Sequence, residues 1–590
     1  MQLNFTDWSI VFLYFVFVLV IGFIYVKRAG RSIDEYFVSG RNLPWWIVGT
    51  SMVATTFSSD TPNLVTDLVR NDGVSANWRW WPFLLTGMVT VFFYAKLWRR
   101  SGALTDISFY ELRYSGKPAA FLRAFRAVYL GVFFNVVVMA SVTLAAIKFG
   151  NVLLGLDKYT TVLVCSLITV IYSCTSGLWG VVVTDLVLFV LAMIGSIGAA
   201  YYSLSHPAVG GLTGLLSNEA LAGKINLLPD FSNMEELIPL LIVPFAVQWW
   251  SVWYPGAEPG GGGYIAQRML ASKDEKNSMI ATLWFNVLHY AVRPWPWIIV
   301  ALCSLVVFPD LSDIAKQFPQ LEKHSIAVRH DLGYPAMLTF LPHGMLGLVV
   351  ASLAAAYMST ISTHLNWGAS YVVDDFYKRF MVTDAGDHHY VTAARIVTVS
   401  LMVLACLVSF FLSNAMQAFE ILLQIGAGTG LIFLLRWFWW RINAWTEITG
   451  MVVSFLIAVY FVFHKYMNFP ALETWQELTI GVFLTTLAWL TVTFLTPPTD
   501  RKVLQSFYDK IHPMGPGWAG VVERGEEVGK ENITASVLAV FLGCLAVYGA
   551  LFSTGFFLYG KMVSGVVFAI ISISSILSVL NLLPRIGWRE

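Results

Sequence analysis

Apolar runs about as long as a bilayer crossing recur from one end of this chain to the other. A spanning helix needs about 20 mostly apolar residues. The pattern predicts spanning helices near 8–26, 44–68, 78–98, 126–153, 159–176, 179–204, 236–255, 278–308, 338–372, 393–413, 416–440, 445–464, 475–496, 534–556 and 561–583, about fifteen in all. Polar positions fall mainly between them. Lys27, Arg28, Arg31 and Arg41 cluster in the first loop, and Lys96, Arg99, Arg100, Arg113, Lys117, Arg123 and Arg126 in the third. Placing those loops inside by the positive-inside rule puts the N-terminus outside and the C-terminus in the cytoplasm. Asp7 and Trp8 lead straight into the first run with no basic stretch before them, so 8–26 reads as an uncleaved helix.

Composition agrees with a bilayer as the main solvent. Of 590 residues, 57% are hydrophobic and 12% charged, with mean hydropathy +0.67. Soluble chains carry roughly 25% charge. The net charge of +1 offers no basic face to nucleic acid. All five cysteines (Cys165, Cys174, Cys303, Cys406, Cys544) lie in apolar runs, which suits small buried side chains better than disulfides or zinc. The expected product is a multi-pass protein of the cell (inner or plasma) membrane. The sequence carries no reading of oligomeric state.

The runs group into blocks. An extra helix and first cytoplasmic loop (1–43) precede five helices over 44–204; an external loop (205–235) leads to five more over 236–440. Two additional helices (441–496), a cytoplasmic linker (497–533) with Pro497, Pro498, Pro513 and Pro516 at or near its start, and a final helix pair (534–590) follow. Because five is odd, consecutive five-helix blocks have opposite orientations, the inverted-repeat logic of secondary transporters. No residue-level repeat accompanies the count.

Three polar interruptions carry the chemistry. Within 50–63, Thr50, Ser51, Thr55, Thr56, Ser58, Ser59, Asp60, Thr61 and Pro62 crowd the middle of an apolar span. Hydroxyl-to-backbone bonding at a tight helix contact is the plain alternative. Asp60 argues against it, because intramembrane carboxylates mark ion or solute paths. The second, Trp253 to Tyr264, contains Pro255, Gly256, Pro259 and Gly260 to Gly263, through which no helix runs. It is expected to be non-helical near membrane depth and to border a cavity; a plain cytoplasmic loop, over Gly260 to Gly263, is the alternative. The third, Ala354 to Asn366, puts Ala356, Ser359, Thr360 and Thr363 on one stripe with Ser362 beside Ser359. Such oxygens suit a hard cation like sodium; a small-residue packing seam is the alternative.

Together these segments resemble the sodium:solute symporter family over roughly 30–440. Asp34 to Trp46 resembles the entry to its first core helix. Leu104-Thr105 with Leu112-Arg113-Tyr114 resembles its second cytoplasmic loop. Tyr172, Ser176-Gly177-Leu178 and Val183-Thr184-Asp185 resemble its fifth-helix signature. Tyr264 to Arg268 with Leu270, Ala271 and Lys273, Ser359-Thr360, Leu365-Asn366 and Asp375 to Lys378 complete the set.

The resemblance implies an all-α, leucine-transporter-like five-plus-five inverted-repeat core with flanking helices. It implies a sodium site made by the carbonyls of Ala54, Phe57 and Ala356 and the hydroxyls of Ser359 and Thr360. It further implies a second sodium at Asp185, Ser359, Ser362 and Thr363. Sodium is the coupling ion, with no organic cofactor. Leu188 stands where the family pattern places glutamine, the Pro-Gly run lengthens the broken helix, and Trp78 to Pro82 does not resemble the usual second core helix.

Solute-facing candidates are Thr56, Asp60, Thr61, Arg79, Gln248, Trp249, Trp250, His289, Arg293, Glu420 and Gln424. Asn286, His289, Tyr290 and Arg293 repeat at i, i+3, i+4 and i+7. Indoles beside amides and carboxylates suit a sugar; Arg79 and Arg293 would suit the carboxylate of a sugar acid, or would neutralise an internal acid such as Asp60 or Glu420. The expected function is sodium-coupled import of a small polar organic solute, most simply a sugar or sugar acid. The alternatives are a proton-coupled, amino-acid or organic-acid symporter of the same fold, or a transporter-like membrane sensor. No motif for an enzyme appears.

Overall fold

A computed structural model describes residues 3–29, 31–251, 258–412, 426, 428–466, 472–522 and 532–587. Among these, ten helices are long and apolar enough to cross a membrane. Helix α1 (Phe5–Ala29) packs on two later helices, and Asp7 in its first turn explains one boundary. The Asp7 carboxylate is buried and accepts from Gly344 N at 2.6 Å and Gly347 N at 2.9 Å. The span expected to start at 338 therefore begins only at Met345. Pro342 and Gly344 (φ 85°) end the preceding helical turn, and Asp7 satisfies the amides that a helix start leaves open.

The first core helix is split into α2 (Trp45–Thr56) and α3 (Asp60–Asp72). Pro62 dictates where the second half starts. In a continuous helix its ring would clash one turn back, at a cost of about 3 kcal/mol, whereas in the first turn of α3 its missing N–H is an orphan anyway. The second core helix runs from α4 (Phe83–Val89) through a π turn (Thr90–Tyr94) to Ser101. The third combines α5 (Gly116–Val128), a π turn (Tyr129–Phe134) and α6 (Asn135–Leu154). Helix α7 (Lys158–Leu204) contains the fourth and fifth helices of the first block, expected at 159–176 and 179–204, which part at Gly177 (φ 54°, ψ −164°).

The second block opens irregularly over 234–250 and resumes at α8 (Gly263–Ala271). It continues with α9 (Glu275–Val287), a π turn (Leu288–Val292) and α10 (Pro294–Val307), then α11 (Met345–Ser370) and α12 (Asp387–Ser409). The described part of its last helix is α13 (Gly430–Phe438). Among the described residues, four further helices of membrane-spanning length follow: α14 (Ala444–Tyr466), α15 (Thr474–Leu495), α16 (Ile533–Leu558) and α17 (Met562–Ile586). Helices α16 and α17 pair with each other, and α16 lies along α4 and the π turn after α9. Helix α2 sits at the centre, against α7, α9 and α11.

Candidate functional site

At the α2–α3 break the backbone leaves helical geometry at Phe57 (φ −82°, ψ 62°). Backbone groups in a bilayer must be paired within the protein, and the local side chains supply many of the bonds. Thr56 Oγ1 donates to Val53 O at 2.9 Å, Thr61 Oγ1 to Thr56 O at 3.3 Å, and Ser59 Oγ to Val142 O on α6 at 3.3 Å. The Thr55 carbonyl is reached from α11, where Thr360 Oγ1 donates to it at 2.7 Å. Ala54 O accepts from Phe57 N at 3.1 Å. The hydroxyl stripe of α11 therefore lies on the break, and Ala356, one turn before Thr360 on the same helix, is likewise buried.

A fully buried polar seam continues from there. Asp185 on α7 accepts from Ser51 Oγ at 2.5 Å and Ser359 Oγ at 2.6 Å. Arg268 of α8 stands 3.9 Å from the same carboxylate and donates to Ser51 Oγ at 3.2 Å and Thr363 Oγ1 at 2.8 Å. Thr363 also meets Thr55, with their hydroxyls 3.1 Å apart. Asp185, Ser359 and Thr363 are thus brought together around Arg268. The Ser362 hydroxyl instead bonds back to Ser359 O at 3.1 Å. The seam's cation, Arg268, was absent from the candidate residues. Its place in the Gln267-Arg268 pair was the available signal, since a buried arginine needs an acid or a set of carbonyls.

The second interruption frames a cavity. Residues 252–257, which include Trp253, Pro255 and Gly256, lie outside the described residues. On their near side helix ends at Ala246 and one 3-10 turn covers Gln248–Trp250; on their far side helix resumes only at Gly263. Side chains of the second core helix serve the freed backbone. Thr86 Oγ1 donates to Trp249 O, and Trp98 Nε1 donates to Gly260 O at 2.7 Å. Gly260 and Gly261 sit at φ 81° and 88°, and a Cβ on Gly260 would stand 2.8 Å from the Tyr94 ring.

The cavity holds about 470 Å³ of space between atoms, counted out to its mouth. Thr56, Thr86, Thr90, Glu258, Asn286 and His289 supply polar atoms to its wall, and Phe83, Phe285, Tyr264 and Tyr290 supply rings. Of the expected solute residues, Thr56 and His289 line it. Arg293 stands behind them, donating to Thr56 Oγ1 at 3.1 Å and to the His289 carbonyl at 3.2 Å. The other expected residues lie elsewhere. Asp60 accepts from Ser141 Oγ at 3.0 Å, and the Thr61 hydroxyl serves the break. Arg79 pairs with Asp72 at 3.0 Å at a partly exposed site, away from Asp60. Gln248 Nε2 donates to Arg79 O at 2.6 Å. Trp249 reaches the second core helix through its carbonyl. Trp250 packs its backbone against Gly430, where a Cβ would lie 1.6 Å from Trp250 O. Glu420 and Gln424 lie outside the described residues. Asn286, read from the sequence as part of the polar stripe with His289, lines the cavity; Glu258, Thr86 and Thr90 were missed, although Thr86 and Thr90 form a readable i, i+4 hydroxyl pair.

A family model described as "Sodium:solute symporter family" matches residues 36–454. The chain belongs to the sodium:solute symporter family. Among curated relatives of this symporter, a sodium/glucose cotransporter of Vibrio parahaemolyticus is 27% identical, with 78% of this chain and 86% of that protein covered. The sodium/sialic acid symporter SiaT of Proteus mirabilis is 24% identical (78% and 90%). A rabbit (Oryctolagus cuniculus) sodium/myo-inositol cotransporter 2 is 25% identical (84% and 78%). Among solved structures, a Na⁺-coupled sialic acid symporter in a substrate-bound outward-open state aligns with a TM-score of 0.66 at 20% identity, covering 84% of this chain and 99% of that one. The fold is therefore all-α and leucine-transporter-like, the protein is a multi-pass membrane transporter rather than an enzyme, and family membership supports sodium-coupled symport.

Proposed function

We propose that this symporter uses the sodium gradient to import a small polar organic solute, a sugar or sugar acid, by alternating access. One observation carries the reading: Thr360 of α11 reaches the carbonyl of Thr55 at the α2–α3 break, at 2.7 Å. A hydroxyl face laid on a broken helix supplies the neutral oxygens that replace a hard cation's water shell. The coupling ion sits among the carbonyls of Ala54, Phe57 and Ala356 and the hydroxyls of Ser359 and Thr360. Asp185, Ser359, Ser362 and Thr363 form a second sodium site, and the solute occupies the cavity beside Thr56 and His289. The N-terminus lies outside and the C-terminus in the cytoplasm.

Binding sodium across the break joins α2 to α11 and so biases the pair toward one arrangement. An ion can shift that equilibrium only by its difference in affinity for the two arrangements. The test is uptake by proteoliposomes of labelled sugars, sugar acids and amino acids under an inward sodium gradient. Uptake should fall to background when potassium replaces sodium. Unchanged uptake in potassium, or uptake that follows a proton gradient alone, would defeat the proposal.

A further inference from the structure

Among the described residues, two buried oxygens of cavity-lining side chains find no hydrogen-bond partner: Glu258 Oε2 and Asn286 Oδ1. The Glu258 side chain is 2% exposed. Its other oxygen, Oε1, accepts from Arg126 Nη2 of α5 at 2.5 Å. The amide of Asn286 is oriented by Nδ2, which donates to Thr282 O at 2.8 Å, and that leaves Oδ1 as the unused acceptor. The neighbouring hydroxyls have also committed their protons. Thr86 donates to Trp249 O, Thr90 to Thr86 O, Thr282 to Ser278 O and Thr56 to Val53 O. Thr86, Thr90 and Thr282 are left with lone pairs to offer, whereas the Thr56 oxygen already accepts from Arg293 Nη1 at 3.1 Å. Among the described residues, the lining contains no lysine or arginine.

A wall of this kind asks for a ligand rich in hydrogen-bond donors. An unpaired buried acceptor is costly, and more so when it is charged. Arg126 already balances the charge of Glu258, so an uncharged hydroxylated molecule meets both orphaned oxygens without leaving a net charge. A carboxylate on the ligand would face Glu258 with no free cation to receive it. We propose that Glu258, held by Arg126, is the specificity carboxylate of this cavity. It selects uncharged polyhydroxylated solutes, sugars or cyclic polyols, against those that bear a carboxylate. This rests on the cavity being the solute site, and within that reading it decides for sugars over sugar acids.

The experiment is thermal stabilisation of the purified full-length protein in sodium and, separately, in potassium. The probes are glucose, galactose, myo-inositol, glucuronate, N-acetylneuraminate and glucosamine. At least one uncharged probe should stabilise the wild type at a concentration tenfold or more below that of either carboxylate. Glu258→Gln should weaken that probe by about tenfold to a hundredfold, the range for a hydrogen bond to a charged group, and should narrow the gap to glucuronate. A sodium-dependent change in tryptophan fluorescence checks that the variant keeps its fold. Should the variant fail to fold, the wild-type ranking alone decides. The proposal is overturned if a carboxylate or the amine binds as tightly as the best uncharged probe, if no probe binds, or if a folded Glu258→Gln keeps wild-type affinity. If uncharged probes win equally in sodium and potassium, coupling fails while this assignment stands.

Discussion

Replacing Asp185 with asparagine separates an ion-binding role from a packing role. The carboxylate is fully buried and 3.9 Å from Arg268. At an effective dielectric of 20 that separation corresponds to about 4 kcal/mol of attraction, and removing one member of a buried pair typically costs about 3–5 kcal/mol because the other charge stays behind. Asparagine also offers one acceptor oxygen where Ser51 and Ser359 now use two. Asp185→Asn alone should therefore lower the unfolding temperature in detergent. Asp185→Asn with Arg268→Gln, which removes both charges, should recover most of the loss. If Asp185 also helps to bind a second sodium, a lipid- or ligand-stabilised Asp185→Asn should transport with a sodium dependence of Hill coefficient near 1, where the wild type exceeds 1. A one-to-one sodium:solute ratio in the wild type refutes the second site. Absence of coupling in the double-mutant cycle refutes the electrostatic account of the seam.

Ser359→Ala with Thr360→Ala removes the hydroxyls offered at the break and should abolish gradient-driven uptake while the protein stays folded; residual sodium-dependent uptake near wild-type level would count against the first site. Burial, reinforced by the positive charges of Arg70, Lys224 and Arg329 and opposed by Asp331, lowers the His330 pKa. Arg70 Nε donates to His330 Nδ1 at 3.4 Å, so this contact is intact at and above the ordinary histidine pKa near 6.5 and is lost only below it, as pH falls through the lowered pKa of the folded state. A cysteine placed at the buried Thr66 should then react faster with an impermeant thiol reagent at pH 5.5 than at 7.5, and His330→Gln should flatten that difference. Gly260→Ala puts a Cβ at φ 81°, a strain of roughly 1–2 kcal/mol, and drives it toward Tyr94; lower thermal stability and slower uptake are expected, and an unchanged melting temperature would show that the 258–262 path can shift.

Much of this was legible because bilayer chemistry leaves few options. Pro62 after a run of hydroxyls located the first break within a few residues, and the helical spacing of Ser359, Thr360 and Thr363 identified the face that meets it. Period arithmetic failed where the helix itself changes period. Asn286, His289 and Tyr290 line the cavity, but the π turn Leu288–Val292 adds a residue and leaves Arg293 behind it. Long-range charge pairing was not legible either. Nothing near Glu258 in the sequence points to Arg126, and Arg79, set among tryptophans, looked solute-facing until Asp72 appeared beside it.

The cavity and the buried Asp185–Arg268 seam share one short piece of chain. Glu258 and Tyr264 face the cavity, while Gln267 and Arg268 hold the seam through Asn366, Thr363, Ser51 and Asp185. Across from it, Thr56 lines the cavity and Thr55, its neighbour, receives Thr360 and meets Thr363. A tilt of either segment would move groups of both sites, since α8 is buried from Gly263 to Ala271. Ions that bind better to one tilt of these segments must raise the affinity of a solute that prefers the same tilt, and by the same factor in reverse. If the proposed sodium and solute sites hold, coupling needs no long relay, because one buried helix and one broken turn border both.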